Sequence, residues 1–189
     1  GDVMKLVIRE YLASLRERGE LDAVLPDLLT ELGFTVYSRP GRGTRQYGVD
    51  VAAVGEGQDG VRRVHLFSVK SGDLDRTEWN TASPQSLRPS LDEILDHYVC
   101  SRIPPEYSDL PVAICLTFGG AIKEEVRAEV TGYMTRNSSD RITFEEWNGD
   151  RLAEVVLQGI LREDLFLGAM RGHLRKSVAM VEQPDVSLE

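Results

Sequence analysis

The spacing of hydrophobic and polar positions changes along the chain, and this change predicts the order of its elements. Near the N-terminus apolar residues recur every three to four positions, which predicts amphipathic helices over residues 4–18 and 21–32. Gly19 is expected to end the first of these helices as a C-terminal cap. Pro26 is expected to be tolerated only near a helix's first turn, because proline lacks the amide hydrogen that a helix interior needs.

Several later segments have the composition of strands. After a short run at residues 35–38, residues 48–54 and 61–71 form two apolar stretches, and the glycine-rich residues 55–60 between them predict a hairpin. Residues 110–118 are almost continuously apolar, which is typical of a strand buried on both faces. A last strand is predicted at residues 141–147.

Helices are predicted between and after these strands, at residues 91–99, 121–135, 151–161 and 164–181, with Asp150 as the cap of the third. The pattern predicts an α/β fold: a central mixed β-sheet flanked by helices, with a helical C-terminal tail. We divide the chain into a core over residues 1–147, which includes the N-terminal helices, and a helical extension over residues 148–189. The polar end of this extension is typical of a linker, so we expect it to lead into a larger protein.

The composition of the chain is that of a globular protein, and it argues against several functional classes. Hydrophobic residues make up 41% of the chain and charged residues 28%, as in globular proteins with a buried core. No apolar run approaches the ~20 residues that span a bilayer, so we expect no membrane partner and a cytoplasmic location. Cys100 and Cys115 are expected to be reduced. The histidines lack the spacing of zinc ligands, and no phosphate-binding loop of the Gly-x-x-x-x-Gly-Lys type occurs.

The charge distribution is uneven. The net charge of −9 argues against non-specific binding of nucleic acid. Residues 35–72, however, hold six basic and three acidic side chains, a local charge of +3, whereas residues 81–189 hold eleven basic and eighteen acidic side chains, a local charge of −7. The chain therefore has one basic region in an acidic body, and this region surrounds the two predicted strands of the hairpin. A chance cluster of surface arginines is the alternative interpretation.

Two charged residues stand out in the apolar parts of these strands, residues 48–54 and 64–70. Asp50 is the one acid of its strand, and burying it costs several kcal/mol unless it is paired or binds a metal. The alternatives are a place at the exposed end of the strand or an arginine partner. Lys70 closes the next strand. Asp50 lies five residues before Gly55 and Lys70 lies ten after Gly60, so a long second strand or a bulge is needed to bring them level.

The motifs Leu32-Gly-Phe-Thr-Val36, Gly48-Val-Asp50 and Phe67-Ser-Val-Lys70, with a glycine-rich basic loop between the first two, resemble the PD-(D/E)xK nuclease core. The chain is most similar to the Mrr-like branch of this restriction-endonuclease-like superfamily, over residues 20–120. The resemblance implies that Asp50 and the carbonyl of Val69 bind Mg²⁺ or Mn²⁺, and that Lys70 orients or activates the attacking water. Hard cations prefer such oxygen ligands and act as Lewis acids on phosphate esters.

Ser68 departs from the family pattern, which has Glu, Asp or Gln at this catalytic position. This serine implies a water-bridged ligand, weaker metal binding, or a site that does not cut. The resemblance also places Asp22 as a further metal ligand from a helix. Its alternative role is to favour a helix N-terminus through the macrodipole.

The resemblance implies a divalent-metal-dependent nuclease domain that hydrolyses DNA, within a multidomain restriction or phage-defence protein. Arg42, Arg45 and Gln46 of the loop are expected to contact the nucleic acid, or else to remain solvated. One alternative is a catalytically degenerate module of the same fold that binds DNA or a protein partner without cleavage. Another is an interaction domain that uses the acidic C-terminal half, and self-association is left open.

Overall fold

A computed structural model describes residues 2–14, 18–39, 46–83 and 86–159 of the chain. The predicted helix at 164–181 therefore lies outside the described residues, as do Arg42 and Arg45. The elements follow in this order: α1 (Asp2–Ser14), α2 (Arg18–Glu31), β1 (Thr35–Ser38), β2 (Val51–Glu56), β3 (Arg62–Lys70), α3 (Arg76–Trp79), α4 (Leu87–Glu93), a π-helical turn (Ile94–Tyr98), α5 (Val99–Ser101), a 3₁₀ turn (Pro105–Tyr107), β4 (Val112–Phe118), α6 (Glu124–Asn137), β5 (Ile142–Trp147) and α7 (149–159).

The five strands form one sheet in the order β1-β2-β3-β4-β5. The first three pair antiparallel as consecutive hairpins, whereas β3, β4 and β5 run parallel and are joined by helical crossovers. This arrangement confirms the predicted α/β class with a central mixed sheet and flanking helices. β4 is buried along its whole length, as its apolar run predicted.

Side chains alternate between two core layers on the faces of the sheet. Leu66, Leu116 and Phe118 belong to the first layer, which is covered by α4, the π-helical turn and α6. Phe67 and Val69 belong to the second layer, which is covered by α1, α2 and α7. We call them the α4 layer and the α2 layer. Leu152, Ala153 and Val155 of α7 are buried in the α2 layer.

The β2–β3 hairpin settles how Asp50 comes level with the end of β3. Its register is regular from Glu56, paired with Arg62, to Val51, paired with Phe67. Continuing this register places Asp50 opposite Ser68. No bulge is needed, because β3 has nine residues and β2 only six. The predicted turn over residues 55–60 is displaced, since Gly55 still pairs within the ladder.

Two predictions for the N-terminal helices are wrong. Gly19 lies inside α2 rather than at the end of the first helix, and Pro26 lies in the interior of α2 rather than near its first turn. α2 accommodates both residues because its fully buried leucines dock it on the sheet, and such packing outweighs intrinsic helix propensity. These leucines are Leu21, Leu25 and Leu29.

The cap of α7 also differs from the prediction. Asn148 caps this helix, because its side-chain oxygen accepts the backbone N–H of Arg151 at 2.9 Å. Asp150 lies within the helix instead and pairs with Arg9 of α1 at 3.3 Å. Within the part of the chain described above, no helix is both long and apolar enough to cross a membrane. The division at residues 147 and 148 stays a prediction.

Candidate active site

Asp50 lies where the start of β2 meets the end of β3. Its backbone N–H donates to the carbonyl of Phe67 at 2.8 Å. Its carboxylate oxygen Oδ2 accepts the backbone N–H of Val69 at 2.7 Å, and this contact is buried. Two hydrogen bonds therefore hold the acid against β3, one at Phe67 and one at Val69, the residue that precedes Lys70.

Burial separates the predicted site residues from the other charged side chains. Among residues 3–10, 20–39, 46–83 and 86–159, whose side chains are described, Asp22 and Asp50 are the buried carboxylates, and Lys70 is the buried residue among the lysines and arginines. Their exposed fractions are 7%, 7% and 5%, and Ser68 is fully buried. Each of the four interacts with other groups of the chain. Charged side chains are rarely buried unless they are paired or functional.

The site residues approach from different elements. Val69 points into the α2 layer, so alternation along β3 directs Ser68 and Lys70 toward the α4 layer. In β4 their parallel neighbours are Leu116 and Phe118, which belong to that layer. Asp22 lies on α2, at least one helical turn after Arg18, which is too far inside the helix for a purely N-terminal role.

A tight turn delivers Asp50 to its position. Val49 donates its backbone N–H to the carbonyl of Gln46 at 2.9 Å, and the two central residues, Tyr47 and Gly48, have φ of 47° and 83°. Positive φ at both central positions is the mark of a type I′ turn. A Cβ at Gly48 would lie 2.1 Å from the carbonyl oxygen of Ser90, so only glycine fits. The predicted strand 48–54 therefore begins later, at Val51.

Sequence reasoning missed the surroundings of Tyr47. Its ring lies 5.2 Å from the ring of His97, and the guanidinium of Arg102 lies over it at 5.1 Å. His97 was considered only as a zinc ligand, and nothing in its spacing from Tyr47 indicates the contact. Gly48 was the available signal, because a glycine two residues before a candidate acid indicates a turn there.

Two arginines of the predicted basic region lie away from the site. Gln46 is exposed beside the site. Arg62 and Arg63, however, lie at the opposite end of β3, roughly 25 Å from Lys70 at the usual rise per strand residue. Arg63 is also held by Asp59 through two hydrogen bonds of 2.8 Å. Arg62 and Arg63 therefore do not belong to a basic surface around Lys70, because the length of β3 separates them from it.

The oxygen donors at the site fit a hydrated magnesium ion better than a closed metal site. Over the described ranges, no group of three or more His, Cys, Asp or Glu side chains could hold a metal ion. Zinc sites need such a group, whereas Mg²⁺ keeps several waters and takes one or two carboxylates. Asp50 offers the carboxylate, with one oxygen already oriented by the N–H of Val69. The hydroxyl of Ser68 is neutral, so it adds no negative charge that would attract the cation.

Comparisons with known proteins give little further information. No protein family profile matches the chain, and no curated protein matches it. A solved structure described as "MspJI Restriction Endonuclease in Complex with 27-mer Oligonucleotide" is similar at a TM-score of 0.37 and 12% identity. The match covers 82% of this chain, which spans 30% of that one. At this level the likeness supports no conclusion about function or about the Mrr-like branch.

Proposed function

We propose that this chain is a divalent-metal-dependent nuclease domain that hydrolyses DNA phosphodiester bonds at the end of β3. The observation that carries the proposal is the buried Asp50 carboxylate, which accepts at 2.7 Å the backbone N–H of Val69, the residue before the buried Lys70. A buried acid and a buried lysine at the ends of neighbouring strands are costly to the fold. Such groups are candidates for a functional role.

Each residue has a role that follows from its chemistry. Asp50 and the carbonyl of Val69 would hold Mg²⁺ or Mn²⁺, with Asp22 as a second carboxylate. The bound metal supplies Lewis acidity and an activated water. Lys70 carries an ammonium group, which stabilises the negative charge that develops on phosphate and positions the attacking water.

The fixed orientation of Asp50 supports this division of roles. Oδ2 accepts a backbone N–H, so the carboxylate cannot rotate freely and its other oxygen keeps a constant direction. Ser68 lies opposite Asp50 in the hairpin register, where its hydroxyl would act through a bridging water. We extend the proposal to Arg42, Arg45 and Gln46 as phosphate contacts. We also extend it to a cytoplasmic restriction or phage-defence protein with further domains.

The test is nicking of supercoiled plasmid by the whole chain with Mg²⁺, Mn²⁺ or EDTA. Asp50→Asn keeps the side-chain size and removes the charge, and Lys70→Met keeps the length and removes the ammonium. We expect each to lower the nicking rate by about 10²–10³-fold, the usual loss of one electrostatic catalytic group. The matched control, Asp140→Asn, changes an exposed acid of the α6–β5 loop and should cut like the parent. Equal rates in all four proteins, or nicking in EDTA, would overturn the proposal.

Ser68 favours a second candidate function. A fully buried serine stands where the family has an acid or glutamine, so the site lacks the negative charge that an acid here would offer a cation. The alternative is a module of the same fold that binds DNA or a protein partner without cleaving. It predicts duplex binding that weakens steeply as salt rises, with no nicking in either metal. Nicking that depends on Asp50 would exclude it.

A further inference from the structure

Two uncommon backbone features occur close to Asp50. Among the described residues, Tyr47 is the one non-glycine residue with positive φ, at 47°. This left-handed region is unfavourable for a bulky side chain and is better suited to glycine or asparagine. The second feature is the π-helical turn at Ile94–Tyr98. π-Helical turns are rare and frequently occur at functional sites.

These two features meet in one side-chain contact. The π-helical turn carries His97, whose ring lies 5.2 Å from the ring of Tyr47 at an interplanar angle of 34°. Arg102, just after α5, places its guanidinium 5.1 Å from the centre of the same ring, and its Nη2 donates to the Tyr47 hydroxyl at 3.4 Å. His97 and Arg102 are exposed, and Tyr47 is half-buried. We call these three side chains the Tyr47 stack.

The Tyr47 stack lies on the side of the sheet that Ser68 and Lys70 face. His97 and Arg102 come from the segment that covers the α4 layer. Gly48 contacts the Ser90 carbonyl of α4 so closely that no Cβ fits between them. The turn that carries Tyr47 is therefore fixed against α4, and Asp50 follows Tyr47 by only three residues.

We propose that the Tyr47 stack binds the phosphate backbone of the nucleic acid beside the scissile position. This inference rests on the proposed function. Arg102 supplies a planar set of N–H donors that matches a phosphate group, and His97 supplies a further ring nitrogen. The Tyr47 ring holds the guanidinium by a cation–π contact. In a chain with a net charge of −9, such local donors are needed to attract a polyanion.

The choice of residue at position 47 supports a role for the ring itself. The turn needs positive φ there, and asparagine or glycine adopts it with less strain than tyrosine. What tyrosine adds is the aromatic face and the hydroxyl that contact Arg102 and His97. The substitution Tyr47→Asn therefore keeps the turn and every charge while it removes the platform.

The test measures binding of a labelled DNA duplex to the whole chain in EDTA, over a series of salt concentrations. The proteins are the parent, Arg102→Ala, Tyr47→Asn and the matched control Arg136→Ala, which removes an exposed charge from the last turn of α6. We expect Arg102→Ala to weaken binding and to lower the slope of log affinity against log salt by about one. Tyr47→Asn should weaken binding with a smaller change of slope. Arg136→Ala should match the parent.

The outcomes separate this inference from the proposed function. If the parent nicks DNA and the two stack variants bind like Arg136→Ala, the inference is wrong and the proposed function stands. If the parent binds without nicking and both stack variants bind more weakly, the inference stands and hydrolysis is wrong. A parent that neither binds nor nicks overturns both. Melting curves show whether Tyr47→Asn is folded. If it is not, Arg102→Ala still tests the inference, because the side chain that it removes is exposed.

Discussion

The carboxylate of Asp50 accepts the backbone N–H of Val69 at 2.7 Å, and this one contact joins the open end of the β2–β3 hairpin. Both groups are buried, so neither can turn to water instead. A hydrogen bond to an ionised acceptor contributes roughly 1.5–3 kcal/mol. The contact therefore offsets part of the cost of an acid in an apolar setting, and it fixes the direction of that acid.

The first prediction separates the structural role of Asp50 from its charge. Asp50→Ala leaves the buried N–H of Val69 without its acceptor and should lower the free energy of unfolding by roughly 1–3 kcal/mol. Asp50→Asn keeps an oxygen at the same place and should lose clearly less. Urea unfolding of the two variants and the parent measures the difference. Equal losses in both variants would show that the hydrogen bond to Val69 contributes little.

The second prediction concerns the turn before Asp50. Gly48→Ala combines an unfavourable positive φ with a Cβ that would lie 2.1 Å from the carbonyl oxygen of Ser90. The matched control is Gly60→Ala in the β2–β3 loop, where φ is +75° and no atom lies within 4 Å of the added carbon. The control should lose about 1 kcal/mol from backbone strain alone. Gly48→Ala should lose more, as measured by urea unfolding, because a backbone contact must also open.

Much of the sheet can be predicted from the sequence, because its signals are local. The apolar run before Gly119 predicts a fully buried strand, and β4 is one. The short loop between two apolar runs predicts the hairpin, although its register needs the unequal lengths of β2 and β3. Asp50 and Lys70 stand out for the same reason, since each is a charge in an apolar strand.

Other features are set by tertiary contacts that no local pattern encodes. Pro26 lies inside α2 because buried leucines on either side dock that helix on the sheet. The contact between Tyr47 and His97, which lies in the π-helical turn, joins segments that are fifty residues apart in the chain. The basic region was predicted from composition, and composition cannot show that β3 places Arg62 far from Lys70.

The third prediction compares the two buried tryptophans. The indole N–H of Trp147 donates to Glu145 at 2.9 Å, whereas that of Trp79 has no acceptor among the described residues. Trp79→Phe and Trp147→Phe remove similar apolar area, since the two side chains are 0% and 1% exposed. Trp147→Phe should therefore lose about 1 kcal/mol more, the net contribution of one hydrogen bond. Urea unfolding decides the order, and a larger loss for Trp79→Phe would contradict it.

His65 gives the fold a pH dependence whose direction follows from its burial. The side chain is 1% exposed and packs edge-on against Phe34 at 4.9 Å. Its Nδ1 lies 3.1 Å from the carbonyl oxygen of Arg63, which can only accept, so Nδ1 carries the hydrogen of the neutral ring. Burial lowers the pKa of His65 below its ordinary value of 6.5, and the nearby carboxylate of Glu145 only partly opposes this shift.

The fourth prediction is therefore a loss of stability in mild acid. Below pH 6.5 the unfolded chain takes up a proton at His65 that the folded chain refuses, so the free energy of unfolding falls as pH decreases. The decline continues down to the lower pKa of the folded state, with a slope of at most about 1.4 kcal/mol per pH unit from this residue. His65→Phe removes the titrating group and keeps an aromatic ring between its neighbours, Phe34 and Phe67. Urea unfolding at pH 7.5 and 5.5 should show a smaller difference for His65→Phe than for the parent. An equal difference in His65→Phe and in the parent would contradict the prediction.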